Sequence, residues 1–314
     1  MFLLQIQSAK KPLATDYGRR WGKEMKFSLG ERIFSKANDI ILGLFALSML
    51  FPLVYVISAS ISAPWNVETG SVVFFPKNLT FESYKQILSD PNIWVAYGNS
   101  IFYTVFGTIV NLIFTISAAY PLAKKYFSGK KFINACIIFS MWFNVGLIPF
   151  YLNVKELGLY NTRAVIIFGF ACSAFNIILL RSGFESVPVS LDEAARIDGA
   201  SEFSIMTKIY LPISKATLAA IGLFYGVGRW NGYFWTMVLL KDDNKIPLQV
   251  LLKKLIVEAS TSNEFSSFVS PESLTSSTTL VYTTIVVAMV PMLLVYPFIQ
   301  KYFVKGVTLG AVKE

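Results

Sequence analysis

Two groups of residues have types and spacings that could do specific work. The first is Ser190-Leu-Asp-Glu-Ala-Ala-Arg-Ile-Asp-Gly-Ala-Ser201. Ser190 followed three residues later by Glu193 is a capping box, in which hydroxyl and carboxylate satisfy early helical N–H groups reciprocally. A short helix is therefore expected from Ser190 to Ile197. It carries Ala194 and Ala195 and ends near Gly199, where a positive φ costs glycine little. Ser201 is placed to cap a second helix running to about Tyr210 and stopped by Pro212. Small residues on a short capped helix suit insertion into a groove on another protein, because backbones approach closely and a rigid helix transmits motion. A plain connector between two longer helices is the competing reading.

The second group is Tyr225, Arg229 and Asn231, beside Trp230. Arg229 is the one charge well inside an apolar stretch, and ionisable groups so placed usually face a bundle interior or a wet cavity. Aromatic rings can stack on pyranose faces and a guanidinium can bond hydroxyls or a carboxylate, so these three residues are candidates for lining a solute path. The alternative is a snorkelling arginine with an aromatic belt of Trp230 and Trp235. Asn99 and Asn144 are polar within apolar stretches and would either face the same cavity or bond across helices, packing being the plainer role. Gly222 and Gly226 form a small-x-x-x-small surface suited to helix packing.

Other chemistries lack their residues. There is no histidine in the 314 residues, so no Ser/His/Asp set or Cys/His metal spacing exists, and no metal site is expected. No phosphate-binding G-x-x-x-x-G-K-[ST] loop occurs; Ser-Gly-Lys-Lys at 128–131 lacks the upstream glycine. The chain is therefore expected to hold no cofactor and to be no enzyme. Cys136 and Cys172 sit in apolar stretches, where hydrophobic packing is expected.

The elements that must position these residues are apolar helices. The chain is 54% hydrophobic and 15% charged, with a mean hydropathy of +0.55, too apolar for an ordinary soluble domain. Nearly charge-free stretches run about 40–62, 95–120, 132–154, 164–180, 213–240 and 278–300, most long enough for the roughly 20 residues that cross a bilayer. All 19 acidic residues fall outside them, which disfavours an ion-driven carrier.

The net charge of +9 has a topological pattern. Of the 28 Lys and Arg, 19 lie before the first stretch, at 121–131, at 181–215 and after 300, against 8 in the alternate loops. The positive-inside rule puts both termini and the 181–215 loop in the cytoplasm, so no nucleic-acid partner is implied. Residues 1–36 read as a basic cytoplasmic extension without a secretory-signal core, with Met25 an alternative start and the first stretch an uncleaved anchor. Residues 37–300 read as the six-span domain, with a coupling loop at 185–212, and 301–314 as a cytoplasmic tail. Segment 63–94 reads as turns around a short helix at 81–89, and 241–277, with its Ser/Thr-rich run from Thr261 to Ser277, as a mobile loop.

The motif also resembles a known family. Glu193-Ala-Ala-Arg-Ile-Asp198-Gly199-Ala200, then Ile209 and Leu211-Pro212, is similar to the EAA loop of ABC importer membrane subunits, with Met206 where that pattern has Phe. Asn99-Ser100-Ile-Phe-Tyr-Thr, Gly146-Leu-Ile-Pro149, Leu157-Gly-Leu, Trp230-Asn231 and the tail from Gln300 through Gly306 with Gly310-Ala-Val-Lys313 resemble the carbohydrate-uptake branch. More narrowly, they look like the oligosaccharide and polysaccharide-fragment permeases.

The resemblance implies an all-α polytopic membrane protein with six transmembrane helices and the type I ABC importer permease fold, in a bacterial plasma membrane. It also implies a second homologous permease, two ATPase subunits that bind the ATP and Mg, an extracytoplasmic solute-binding protein and an oligosaccharide substrate. Glu193, Ala194, Ala195, Asp198, Gly199 and Ala200 would dock on the ATPase, and Lys305, Gly306 and Gly310 would reach between the two ATPases. Lys301 and Lys305 are equally ordinary interface anchors. The alternatives are the same machinery carrying a non-sugar solute and an ATP-independent carrier or channel.

Overall fold

The computed structural model describes residues 29–143, 145–265 and 276–311. The described chain is helical, with an isolated antiparallel bridge between Ser62 and Leu79. Two compact units divide it, one up to Val54 and one from Tyr55 onward. Helix α1 (Leu29–Ser60) runs through the first and into the second, with Pro52 inside it.

The second unit begins with a hydrogen-bonded corner. Ser58 Oγ donates to the Phe74 carbonyl at 2.7 Å, and Ser62 Oγ accepts from the Lys77 N–H at 3.0 Å. These bonds pin the short helix α2 (Pro64–Glu68) and lead into α3 (Glu82–Ser89), as the turn residues and the helix expected at 81–89 imply. Asp90 then caps α4 (Pro91–Ala123) by accepting the Asn92 N–H at 2.9 Å, with Pro91 opening the first turn.

Helix α4 is the axis of the unit. Its 33 residues extend about 50 Å. Its buried stripe, Ala96, Ser100, Tyr103, Gly107, Asn111, Thr115 and Ala119, recurs every three to four residues, as one helix face must. That face is notable for small and polar side chains, which let neighbouring backbones approach and bond. It packs chiefly on α8 (Ala174–Glu185) and α11 (Lys215–Asn231).

Among the described residues, three helices are long and apolar enough to cross a membrane unbroken: Ile33–Ser60, Pro91–Ala123 and Thr278–Pro297. The other three apolar stretches are not the single rods expected. Stretch 132–154 becomes α5 (Lys130–Trp142) and α6 (Leu147–Glu156), with Gly146 at φ +79°. Stretch 164–180 becomes α7 (Arg163–Phe168) and α8, parted beyond Gly169, where a Cβ would lie 2.5 Å from the Val165 carbonyl oxygen. Stretch 213–240 becomes α11 and α12 (Phe234–Leu239), parted at Gly232, whose Cβ would meet the Gly228 carbonyl at 2.9 Å. Hydropathy reports apolarity along the chain but not where a glycine lets the backbone turn.

Between α8 and α11 lie α9 (Val189–Ile197) and α10 (Glu202–Ile213), the latter with a π turn over Met206–Tyr210 and an 84° bend to α11. Segment 241–277 corrects another expectation. Its first part holds a 3₁₀ turn, Asp243–Lys245, and α13 (Leu248–Phe265) instead of a mobile loop; 266–275, within the Ser/Thr-rich run, lie outside the described residues, and α14 (Ser277–Ala311) follows. Leu248, Leu251, Leu252, Leu255 and Ile256 repeat at helical spacing, a signal the Ser/Thr-rich run after them had masked. Cys136 and Cys172 are exposed in this chain, not packed in its core.

Asn161 joins α6, α7 and the 240s. At φ +59° its N–H donates to the Leu239 carbonyl at 2.9 Å, and its Oδ1 accepts from the Lys241 and Asp242 N–H groups at 3.0 and 3.1 Å. Asn161→Ala removes two bonds and leaves a β-carbon residue in the left-handed region, a loss of about 2–3 kcal/mol. Thermal unfolding of the purified protein in detergent should show a lower midpoint, with Asn161→Asp less affected.

Candidate functional site

Helix α9 ends as its sequence implies and starts differently. Pro188, at φ −57° and ψ 128°, occupies the cap, so the helix begins at Val189 and Ser190 lies inside the first turn without capping it. The fixed φ of proline presets the entry and overrides the capping box. At the other end Asp198 donates to the Ala194 carbonyl, Gly199 to Arg196 and Ala200 to Ala195. This double closure requires the positive φ that Gly199 adopts, +75°. Ser201 caps α10 by accepting the Ser204 N–H. Glu193, Ala194, Asp198 and Gly199 are exposed, while Ala195 and Ala200 turn partly inward against the core. Ile197 is 86% and Phe203 71% exposed, so the loop presents an apolar tip flanked by carboxylates.

The opposite face of α9 is locked down by residues the motif did not point to. Asp192 accepts a 2.6 Å hydrogen bond from Lys124 Nζ, and both residues are buried, Lys124 to 3% exposure. The ammonium also lies 4.4 Å from the Tyr120 ring centre and 4.0 Å from that of Tyr210. Arg196, one turn beyond Asp192, bonds Glu202 and the Tyr126 hydroxyl. Glu202 accepts from the Tyr120 hydroxyl at 2.7 Å and from Tyr126 at 3.1 Å.

Partial burial works to raise the Glu202 pKa, but the two phenol hydrogen bonds and the charges of Arg196 and Lys124 outweigh it and hold the carboxyl below its usual range. Tyr126 is pushed up to about 12, by burial first and then by its bond to Glu202, so it stays a donor at neutral pH. A lysine just past the end of a long span and an aspartate beside Glu193 are visible in the sequence, but their pairing across 68 positions is not.

The second site is a cavity of about 420 Å³, to which Tyr225, Arg229, Asn231, Phe170, Phe234 and Trp235 contribute. Arg229 does not snorkel. Its Nε donates to Asn111 Oδ1 at 3.0 Å, one terminal nitrogen to the Ile166 carbonyl, and the other to the Ile167 and Phe170 carbonyls at 3.0 and 3.1 Å. These carbonyls belong to the last turn of α7 and the chain after it, the end where helical C=O groups lack partners and cations bind best. Gly107 makes room: a Cβ there would lie 2.9 Å from Arg229 Nε.

Tyr225 is buried, its hydroxyl 2.7 Å from Thr115 Oγ1 and accepting the Ser173 N–H at 3.2 Å. Asn231 is exposed to the cavity. Asn99 does not join them. Its amide donates to the Asn244 and Ile246 carbonyls and its oxygen accepts from Arg163, bonds that tie α4 to the loop before α13. Gly222 and Gly226 face Leu112 and Thr108 of α4. Asn144 lies outside the described residues, as does the Lys305 side chain; the backbone at Lys305, Gly306 and Gly310 continues α14.

A broken-helix bundle, a short helix hung beside it and a clamped cavity fit the architecture that the EAA-like motif implies, and the comparisons agree. Residues 21–309 match the family described as binding-protein-dependent transport system inner membrane component. The chain belongs to this family. Protein LplC of Bacillus subtilis (strain 168) is 38% identical over 286 residues, covering 90% of this chain and 95% of that one. The polygalacturonan/rhamnogalacturonan transport system permease protein YtcP of the same organism is 37% identical over 282 residues, covering 90% and 99%. A chain in the crystal structure of a bacterial ABC transporter that imports the acidic polysaccharide alginate superposes with a TM-score of 0.82 and 46% identity, covering 88% of this chain and 99% of that one.

As a permease of this family the chain is a multi-pass inner-membrane protein with the type I importer fold. It is the non-catalytic membrane component of a binding-protein-dependent ABC transporter; a second permease completes the pore and partner ATPases hydrolyse ATP.

Two outcomes follow for this permease. Because the folded-state pKa of Glu202 is lowered, its contribution is complete above the ordinary carboxylate range and disappears as pH falls through the lowered value. The hydrogen-exchange protection of residues 189–205, taken relative to the intrinsic amide rate at each pH, should be steady from pH 7 to 5 and fall below, an acid step that Glu202→Gln removes. Gly107→Ala should displace the Arg229 guanidinium and reduce uptake roughly tenfold to a hundredfold at matched membrane expression.

Proposed function

We propose that this permease translocates an oligosaccharide of acidic type, delivered by an extracytoplasmic binding protein and powered by ATPases docked on α9. One observation carries the cargo reading. Among the described residues lining the cavity, Arg229 is the one charged group, and its oxygen ligands are neutral, so its positive charge is uncompensated. A carboxylate about 8 Å from it gains about 2 kcal/mol at an effective dielectric of ~20. Phe234 and Trp235 offer apolar rings for pyranose faces, and Asn231 an amide for hydroxyls. Two of its relatives, the polygalacturonan/rhamnogalacturonan transport permease and the alginate importer, handle acidic polysaccharides by name.

The coupling reading rests on the exposed tip of α9 and α10. Glu193, Ala194, Asp198 and Gly199, with Ile197 and Phe203, would enter an ATPase groove, while ATP and Mg stay in that partner. The distribution of 19 against 8 basic residues supports a cytoplasmic position for this loop and both termini.

Both halves are testable in membranes carrying the complete importer. Glu193→Lys should abolish co-purification of the ATPase without loss of the permease from the membrane; undiminished recovery would place the docking elsewhere. Uptake of labelled oligogalacturonate should be competed by other oligouronates and not by maltodextrin, and competition by the neutral sugar alone would reverse the cargo assignment.

A further inference from the structure

The two sites are joined by one helix. Lys124 is the residue immediately past the end of α4, and its buried ammonium meets two further elements: Asp192 of α9 at 2.6 Å, and on α10 both Glu202 at 3.9 Å and the Tyr210 ring, at the end of the π turn, at 4.0 Å. About 20 Å further up the same helix, Asn111 is held to the cavity wall. Its Oδ1 accepts from Arg229 and its Nδ2 donates to the Phe170 carbonyl at 2.6 Å. Thr115 bonds Tyr225 between these points. The Lys124–Asp192, Asn111–Arg229, Asn111–Phe170 and Thr115–Tyr225 bonds along this line are 2.6 to 3.0 Å long and join buried or partly buried residues. A π turn in α10 marks a place where the direct chain route from α9 into α11 is irregular.

We propose that the buried Lys124–Asp192 ion pair is the joint through which displacement of α9 moves α4 and so reshapes the cavity around Arg229. Lys124 and Asp192 are positioning residues: neither lines the Arg229 cavity, and the exposed tip of α9 lies on the other side of the helix. The chemistry suits the task. A buried pair contributes little to stability relative to an apolar one, yet it fixes a single register between the groups it joins. A sliding apolar contact would let α9 move without α4. The covalent path through Gly199, the π turn and the 84° bend is the competing route, with three irregularities in series, whereas the Lys124 path departs from regular helix only at its α4 end, at Pro121 and the extended Lys124.

This inference rests on α9 being the ATPase-docking helix and is independent of the cargo, so its test uses no sugar. In the complete importer, a single cysteine is placed by Asn231→Cys in a Cys136→Ala, Cys172→Ala background. Its labelling by a membrane-impermeant maleimide is compared between the nucleotide-free and the Mg-ATP, vanadate-trapped states. With Lys124 and Asp192 intact, the rate should differ by about tenfold. Asp192→Asn should bring the two rates together in complexes that still carry the ATPase, and the conservative Asp192→Glu, which keeps the charge beside Lys124, should retain the difference. Persistence of the tenfold difference in Asp192→Asn overturns the proposal. So does a loss, of the response or of assembly, that is equal in Asp192→Asn and Asp192→Glu, since that assigns the residue to folding. Failure of the ATPase to co-purify with the unsubstituted permease is a separate result and removes the docking reading itself.

Discussion

A cation taken out of water has to be surrounded by oxygens, and two such cations organise this permease. Arg229 draws the open end of α7 and the Asn111 amide toward itself; Lys124 draws Asp192 and two tyrosine rings. Both act on α4, one at mid-helix and one just past its end. The small and polar stripe of that helix follows from this demand. Gly107 clears space for a guanidinium, Asn111 supplies an oxygen and a donor, and Thr115 meets a tyrosine hydroxyl. An apolar stripe of leucines would pack as well against α8 and α11 but could not admit or satisfy the guanidinium.

The breaks in the membrane helices belong to the same economy of backbone groups. Ending a helix inside a bilayer exposes carbonyls that lipid cannot satisfy, so such ends survive only when protein groups take them up. Arg229 does this for α7, and the Tyr225 hydroxyl takes the Ser173 N–H where the chain re-enters α8. The cavity exists because the chain is interrupted there, and the interruption is tolerated because the cavity wall carries a donor-rich side chain. Arg229 is thus both a structural clamp and the source of the cavity's charge, two roles that cannot be separated by deleting the side chain.

Legibility of the site in the sequence varied with the range of the interaction. Gly199 and Ser201 are readable because a helix stop and a cap depend on a few adjacent residues. Ser190 misleads for the same local reason: Pro188, two residues earlier, sets φ before the serine can cap. Arg229 stands out as a charge in an apolar stretch, but its partners are 118 residues away at Asn111 and some 60 away on α7, and nothing in the spacing names them. Asn99 shows the converse. Polarity in a span marks it as worth explaining without telling a cavity from a packing contact, and its bonds to the 244–246 backbone decide for packing.

By itself the sequence determined that the chain is a bundle of membrane helices, that its basic residues favour one side, and that a short helix stopped at Gly199 lies between two of them. These follow from transfer free energy, charge placement and local backbone preference, all of which act residue by residue. Tertiary structure alone decided that three of the apolar stretches are broken, that Arg229 turns inward, and that Lys124 grips the face of α9 opposite its exposed tip. Those outcomes depend on which distant oxygens can reach a desolvated cation, and only the folded arrangement of helices brings them within about 3 Å.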